Sequence, residues 1–329
     1  MTIIQIYKGK ILKYEYKKLD IPTYIKSLYD DGLNRSSLYS KEEIEKKISD
    51  TGIFKFKGYV KAFRDRLSQY SIDDIFYLYD FDRSLSINLL SLTSRIEIKL
   101  KTYAIETAYS LTDNPFFYLI EENYKNDFKL SNDSLHTWEI KESQSSTELY
   151  PHFRDYYLAK YDFRSNREAF LSNKKLIIDE RKYINYPPFH YFVESATLGT
   201  IINIVSKLQI EDNDIMKLVA NRFGIYNPKV FISYLLRFKE LRNRCAHSGR
   251  IFNRNYRSVK AIGKYRIIRK DIYDHRLLDV YYTLYFLLGE EKEFNNSKDL
   301  ENRFIKENFK HRDEKVEELI LNCMRKYKR

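Results

Sequence analysis

Cysteine is nearly absent from this chain of 329 residues: Cys245 and Cys323 are the only two, and they lie far apart. They form no CxxC pair, which excludes a disulfide framework and a thiolate zinc site and fits a reducing compartment. Glycine (9) and proline (6) are scarce too. Few chain breakers, with long periodic stretches rich in Leu, Lys and Glu, point to an all-α fold. No apolar run reaches transmembrane length. The segment Met1–Lys18 carries charge from Lys8 onward and has no clean apolar core, so it does not read as a signal peptide. HExxH, GxSxG, Walker and zinc-ligand patterns are missing. The expectation is a soluble, cytoplasmic protein with no membrane partner, metal or cofactor.

What the chain has in excess is positive charge and aromatic side chains. Lys and Arg total 58 against 46 Asp and Glu, a net charge of +12. Such a balance points to a polyanionic partner, with nucleic acid and an anionic membrane face the usual candidates. The 30 tyrosines and 21 phenylalanines accompany many Lys, Ile and Asn, a combination that AT-rich coding also produces. Coding bias accounts less well for the clustering of charge described below.

Helix signals recur along the chain. Ile21 to Gly32 reads as a helix ended by glycine, and Ser40-Lys41-Glu42-Glu43 is a capping box opening a second. Phe54-Lys55-Phe56-Lys57 alternates like a short strand but leads into a helix through Gly58-Tyr59. Ser71-Ile72-Asp73-Asp74 opens a long helix to about Ser110, on which Leu85, Leu89, Leu92, Ile96, Leu100 and Tyr103 share one apolar face. Asp113-Asn114-Pro115 then breaks the chain. Lys129 to Leu149 reads as a polar insertion and Tyr150 to Lys175 as helical. Tyr186-Pro187-Pro188 precedes one apolar helix from Phe189 to Leu208. Asn227-Pro228 starts a further helix that Ser248-Gly249 ends; another spans roughly Asp271 to Leu288, and a charged helix pair follows Glu290. These signals divide the chain into 1–70, 71–290 and 291–329.

The stretch Leu241-Arg242-Asn243-Arg244-Cys245-Ala246-His247 concentrates the chemistry. A histidine moves protons near neutral pH. An arginine offers a planar fork of donors to a phosphate transition state. With a ribose 2′-hydroxyl as nucleophile, the two suffice to cleave RNA without a metal. The spacing alone is weak, because Arg-x(4–6)-His arises about once by chance in a chain of this composition. Arg269 and His275 form a second match, yet acidic flanks from Asp271 to Asp274 suit that histidine better to pairing with Asp. His136, His152, His190 and His311 have no partners at nucleophile or metal spacing.

Phe231, Leu235, Phe238, Leu241 and Cys245 form the apolar stripe of the motif helix, and Arg242 falls near its edge. An unpaired guanidinium there is costly to bury, so Arg242 must meet a carboxylate or face a groove or second subunit; Glu97 on the long helix is a fair candidate. Five residues on, His247 lies about 140° round the helix. One shared site therefore requires either a helix break near Ala246 or groups from two chains. The bland alternative is an ion-paired arginine and a histidine capping a helix C-terminus. The following sequence weighs against it: Arg250, Arg254, Arg257, Lys260, Lys264, Arg266, Arg269 and Lys270 occur with no acidic residue among them. Phe252, Tyr256 and Tyr265 are interleaved, a mixture suited to phosphates and unstacked bases.

Leu241-Arg-Asn-Arg-Cys-Ala-His247 with Arg250-Ile-Phe-Asn253 resembles the signature of the Abi-like abortive-infection family, of the AbiD/AbiF type within the HEPN superfamily. Leu28–Gly32, Phe56–Tyr59, Tyr79–Arg83, Arg95-Ile-Glu97, Asn114–Leu119 and Pro188 through Thr200 resemble it in order; where the family often has a tryptophan after the proline, this chain has Phe189. The resemblance implies a HEPN-like helical bundle with additional N- and C-terminal helices, acting in phage defence. It implies a metal-independent endoribonuclease, toxic when released, whose site is composite across a homodimer. Arg242 and His247 would be catalytic, Asn243, Arg250 and Asn253 supporting. RNA would be the partner, as substrate and as a regulatory small RNA. The basic run assigns RNA contacts to Arg254, Arg257, Lys260, Lys264 and Arg266. The rival reading is a non-catalytic protein gripping a structured RNA through that basic face.

Overall fold

The computed structural model describes residues 2–7, 10–15, 20–125, 188–263, 266, 272, 274–309 and 314–325. The fold is all-α, with two minor hairpins among the described residues. Strands β1 (Thr2–Tyr7) and β2 (Lys10–Glu15) pair antiparallel with Thr2 opposite Glu15. β3 (Gln209–Ile210) and β4 (Asn213–Asp214) form a two-residue ladder. The N-terminal hairpin precedes the first helix signalled by the sequence.

Two compact units emerge: residues 1–85 with 308–320, and residues 86–307 with 321–329. The first unit contains α1 (Ile21–Asp30), α2 (Lys41–Thr51) and α3 (Ile53–Val60). Both arms of the expected capping box on α2 form: Ser40 accepts from the Glu43 N–H, and Glu43 accepts from the Ser40 N–H. The alternating Phe54–Lys57 segment is helical, with Phe56 and Tyr59 buried and Phe54 exposed. A cavity of about 650 Å³ in this unit is lined by Tyr29, Tyr39, Lys26 and Arg35 among others, with no histidine or cysteine among the described residues.

Helix α4 (Ile72–Tyr109) contributes residues to both units. At 1.5 Å per residue its 38 residues run about 57 Å. The Ser71 N–H donates to the Asp74 carboxylate at 2.6 Å, closing the expected start. Leu85, Leu89, Ile96 and Leu100 are buried as expected, whereas Leu92 and Tyr103 are only half-buried. Thr93 takes an inward position instead, its hydroxyl satisfied by the Leu90 carbonyl at 2.9 Å.

The single helix expected from Phe189 to Leu208 is two: α5 (Phe189–Ser195) and α6 (Leu198–Lys207). Ala196 is extended (ψ 152°), and the Thr197 hydroxyl accepts the Thr200 N–H, so a threonine N-cap restarts the helix. Helices α7 (Ile215–Arg222) and α8 (Pro228–Ala246) follow, α6 packing on both. Asn227 caps α8, accepting from the Lys229 and Val230 N–H groups. Helix α9 (Leu277–Leu288) starts later than expected, because Arg276 is extended (ψ 166°). The expected C-terminal pair is α10 (Ser297–Asn308) and α11 (Glu314–Arg325). The readings over Lys129–Leu149 and Tyr150–Lys175, and those for His136, His152, His311, Lys264, Tyr265, Arg269, Lys270 and Asp271, lie outside the described residues.

Candidate active site

The motif sits at the C-terminal end of α8. The expected stripe is buried throughout: Phe231, Leu235, Phe238 and Leu241 at 0% exposure, Cys245 at 5%. This packing fixes the helix's rotation and leaves Arg242 at the edge of the buried face, its side chain 35% exposed. Arg242 Nε donates to Glu97 Oε2 at 3.1 Å, so the expected carboxylate on α4 is the partner. The other Glu97 oxygen lies 3.8 Å from Lys101 Nζ, which donates at 3.1 Å to the Glu194 carbonyl on α5. Three helices thus steady one guanidinium. Nη1 makes a long 3.4 Å contact to Asn243 Oδ1. Among the described residues Nη2 has no hydrogen bond, leaving donors for an outside anion.

The helix ends in a Schellman turn. The Ser248 N–H donates to the Cys245 carbonyl at 3.1 Å, and the Gly249 N–H to the Arg244 carbonyl at 2.8 Å. Ser248 takes the left-handed position usually given to glycine (φ +53°). Glycine one residue later eases a close approach, since a Cβ on Gly249 would stand 3.3 Å from the Arg244 carbonyl oxygen. The break therefore falls after His247, whose own N–H still bonds the Asn243 carbonyl at 3.0 Å. His247 is exposed, and among the described residues its ring makes no hydrogen bond or ion pair. No hydrogen bond joins Arg242 to His247 among the described residues, so one chain does not bring the pair together by this means.

The remaining expected residues divide. Arg254, Arg257, Lys260 and Arg266 are exposed, and Arg250 is half-buried. Asn253 (φ +49°) is turned to the interior, its Oδ1 accepting from Arg276 Nη2 at 2.8 Å. Phe252 and Tyr256 are buried at 1% and 4% exposure, so they belong to the core and present no face to bases. In the competing pair, the His275 backbone N–H donates to the Asp279 carboxylate at 2.9 Å.

Sequence reasoning missed two buried arginines. Arg237 (0% exposed) meets Asp279 at 2.7 Å, Asp274 at 3.2 Å and the Thr283 hydroxyl at 3.0 Å. Arg276 (1% exposed) reaches Asn255 Oδ1 at 2.8 Å and also the Cys323 carbonyl. Asp274, in the acidic flank read as a setting for His275, and Asp279, which accepts the His275 N–H, both also serve Arg237. Among the described residues no three His, Cys, Asp or Glu side chains gather as metal ligands, and no helix is long and apolar enough to cross a membrane.

An all-α chain with a half-exposed, carboxylate-steadied arginine and an exposed histidine at one helix end is thereby defined. The family model described as Abi-like protein matches residues 46–253, more than half the chain and the whole motif, and the chain belongs to that family. Membership supports a part in abortive infection, a defence against phage. No curated protein matches the chain, and no solved structure does.

Proposed function

We propose that the protein is a metal-independent endoribonuclease of the HEPN type, acting in the cytoplasm in phage defence and toxic to its host when released. The observation that carries this is the helix end itself: Arg242 is tethered through Nε to Glu97 with outward donors left over, and His247 is exposed five residues on. The histidine takes the proton of a ribose 2′-hydroxyl. The 2′-oxygen forms a bond to phosphorus, the bond from phosphorus to the 5′-oxygen breaks, and the leaving oxygen takes the proton that the histidine gained. Arg242 neutralises the charge that builds on the non-bridging oxygens. The products are a 2′,3′-cyclic phosphate and a 5′-hydroxyl.

The late helix break favours a composite site. Since His247 stays on the helical path, about 140° from Arg242, its partner arginine comes from a second copy in a homodimer. Asn243 and Arg250 flank the site, and the exposed basic side chains after it hold the RNA. The same exposed cations also favour a second reading, a protein that binds RNA without cutting it.

Incubating the protein with end-labelled RNA in EDTA, beside His247→Ala and Arg242→Ala, tests the proposal. Cyclic-phosphate ends from the unmutated protein alone are expected. Cleavage that survives in both variants would sink the site assignment. Salt-sensitive binding by all three with no cut would favour the second reading.

A further inference from the structure

The family match ends at Asn253. The next residues hold a regularity that neither the motif nor the charge count predicts. The carbonyls of Arg254, Arg257 and Lys260, three residues apart, each accept a hydrogen bond from a buried or part-buried side-chain donor. Arg276 Nη1 donates to the Arg254 carbonyl at 3.2 Å, Arg237 Nε to the Arg257 carbonyl at 2.5 Å, and the Tyr234 hydroxyl to the Lys260 carbonyl at 2.9 Å. Between them Tyr256 and Val259 are buried, each at 4% exposure. With carbonyls and apolar side chains held inward, the side chains of Arg254, Arg257 and Lys260 are left outside, and all three are exposed. Among the described residues none of the three meets a carboxylate with its charged head. The Arg257 N–H is additionally held by Glu240 Oε2 at 3.3 Å, while Glu240 Oε1 takes Arg244 Nη2 at 3.0 Å, which ties the segment to the motif helix.

We infer that Arg254, Arg257 and Lys260 form a preformed cation ladder that grips the phosphodiester backbone of a single RNA strand without reading its bases, and that Arg237 and Arg276 are its positioning residues. The ligand rests on the reading that RNA is the partner. Neighbouring rungs are three residues and so at most about 10 Å apart, and the three together span at most about 20 Å, a single line of charge suited to one strand. Because buried donors already order the segment, binding need not supply the ordering entropy. With Phe252 and Tyr256 in the core, no stacking platform accompanies the ladder over these residues. Affinity is therefore electrostatic, insensitive to sequence and steeply dependent on salt.

The test uses the full chain carrying His247→Ala, so that RNA is not consumed. Oligouridylate, oligoadenylate and an abasic phosphodiester oligomer of equal length are titrated at several salt concentrations. Similar affinities for all three are expected. Arg254→Gln, Arg257→Gln and Lys260→Gln should each lower the slope of log affinity against log salt by about 0.7, the contribution of one phosphate contact on a single strand. Arg276→Lys should weaken binding, and combined with Arg254→Gln the losses should be non-additive, since one residue acts through the other. If Arg276→Lys does not fold, Asn255→Ala, which removes an exposed partner of Arg276, replaces it in the cycle. Loss of binding to the abasic oligomer alone would overturn backbone reading. Unchanged slopes in all three glutamine variants would overturn the ladder while leaving RNA binding intact. No salt-dependent binding to any probe would overturn it too and point to an acidic protein surface instead. If the ladder binds as expected and the unmutated protein never cuts, the nuclease proposal fails and this one stands.

Discussion

Arg242 illustrates how one side chain is set by a neighbour far away in sequence. Glu97 is 145 positions earlier, yet its carboxylate fixes the Nε edge and hence the direction of the remaining donors. Glu97→Gln should cost less than about 1 kcal/mol of stability, because the pair is partly exposed and screened. It should nevertheless lower RNA cleavage about tenfold or more, since a misdirected guanidinium loses its aim. Melting curves beside cleavage rates check this; a variant that cuts at the unmutated rate would remove Glu97 from the site.

His190 gives a pH dependence independent of catalysis. Burial pushes its pKa below the ordinary 6.5, and its Nδ1 lies 2.7 Å from the Tyr109 hydroxyl. As pH falls, the unfolded chain takes up this proton before the folded one. The contribution is thus intact above 6.5 and lost as pH drops through the window beneath it. Thermal melts across that window should show the unmutated protein losing more stability than His190→Gln. Parallel losses would mean that burial is not felt at this ring.

At the scale of elements, the end of α8 decides what the motif can do. A left-handed conformation costs a non-glycine residue roughly 1–2 kcal/mol, and Ser248 occupies one (φ +53°). Ser248→Gly should raise stability by up to about 1 kcal/mol, the relief being partly offset by glycine's greater freedom when unfolded. Denaturant titration reads this, and a lower midpoint would show that the serine side chain contributes more than its backbone costs. Elsewhere, local signals carried the elements well: both capping boxes, Asn227-Pro228 and Ser248-Gly249 mark real helix ends. They failed between Phe189 and Leu208, where uninterrupted apolar periodicity hides a break at Ala196-Thr197. Threonine as an N-cap looks the same in sequence as threonine inside a helix.

At the scale of the whole molecule, the proposed site requires two copies. If Arg242 of one chain works with His247 of the other, mixing Arg242→Ala and His247→Ala proteins should restore activity. Half of randomly exchanged dimers are mixed, and each holds one intact pair, so about a quarter of the unmutated rate is expected. No restoration after verified subunit exchange would place both groups in one chain. A monomer by light scattering at working concentration would exclude the composite site outright.

By itself the sequence determined the helical class, most helix starts and stops, the buried stripe of the motif helix and the family. Each depends on neighbours within a few positions or on a contiguous pattern, which the chain displays openly. Only the tertiary structure decided which charges are inside. Nothing in the sequence sets Arg237 and Arg276 apart from the chain's other arginines, yet they are almost wholly buried. Phe252 and Tyr256 look like stacking aromatics and are core. Burial of an arginine depends on acceptors brought together from other elements, here Asp279, Asn253, Asn255 and the carbonyl of Cys323. Such convergence is a property of the packed chain, and no spacing along it records the result.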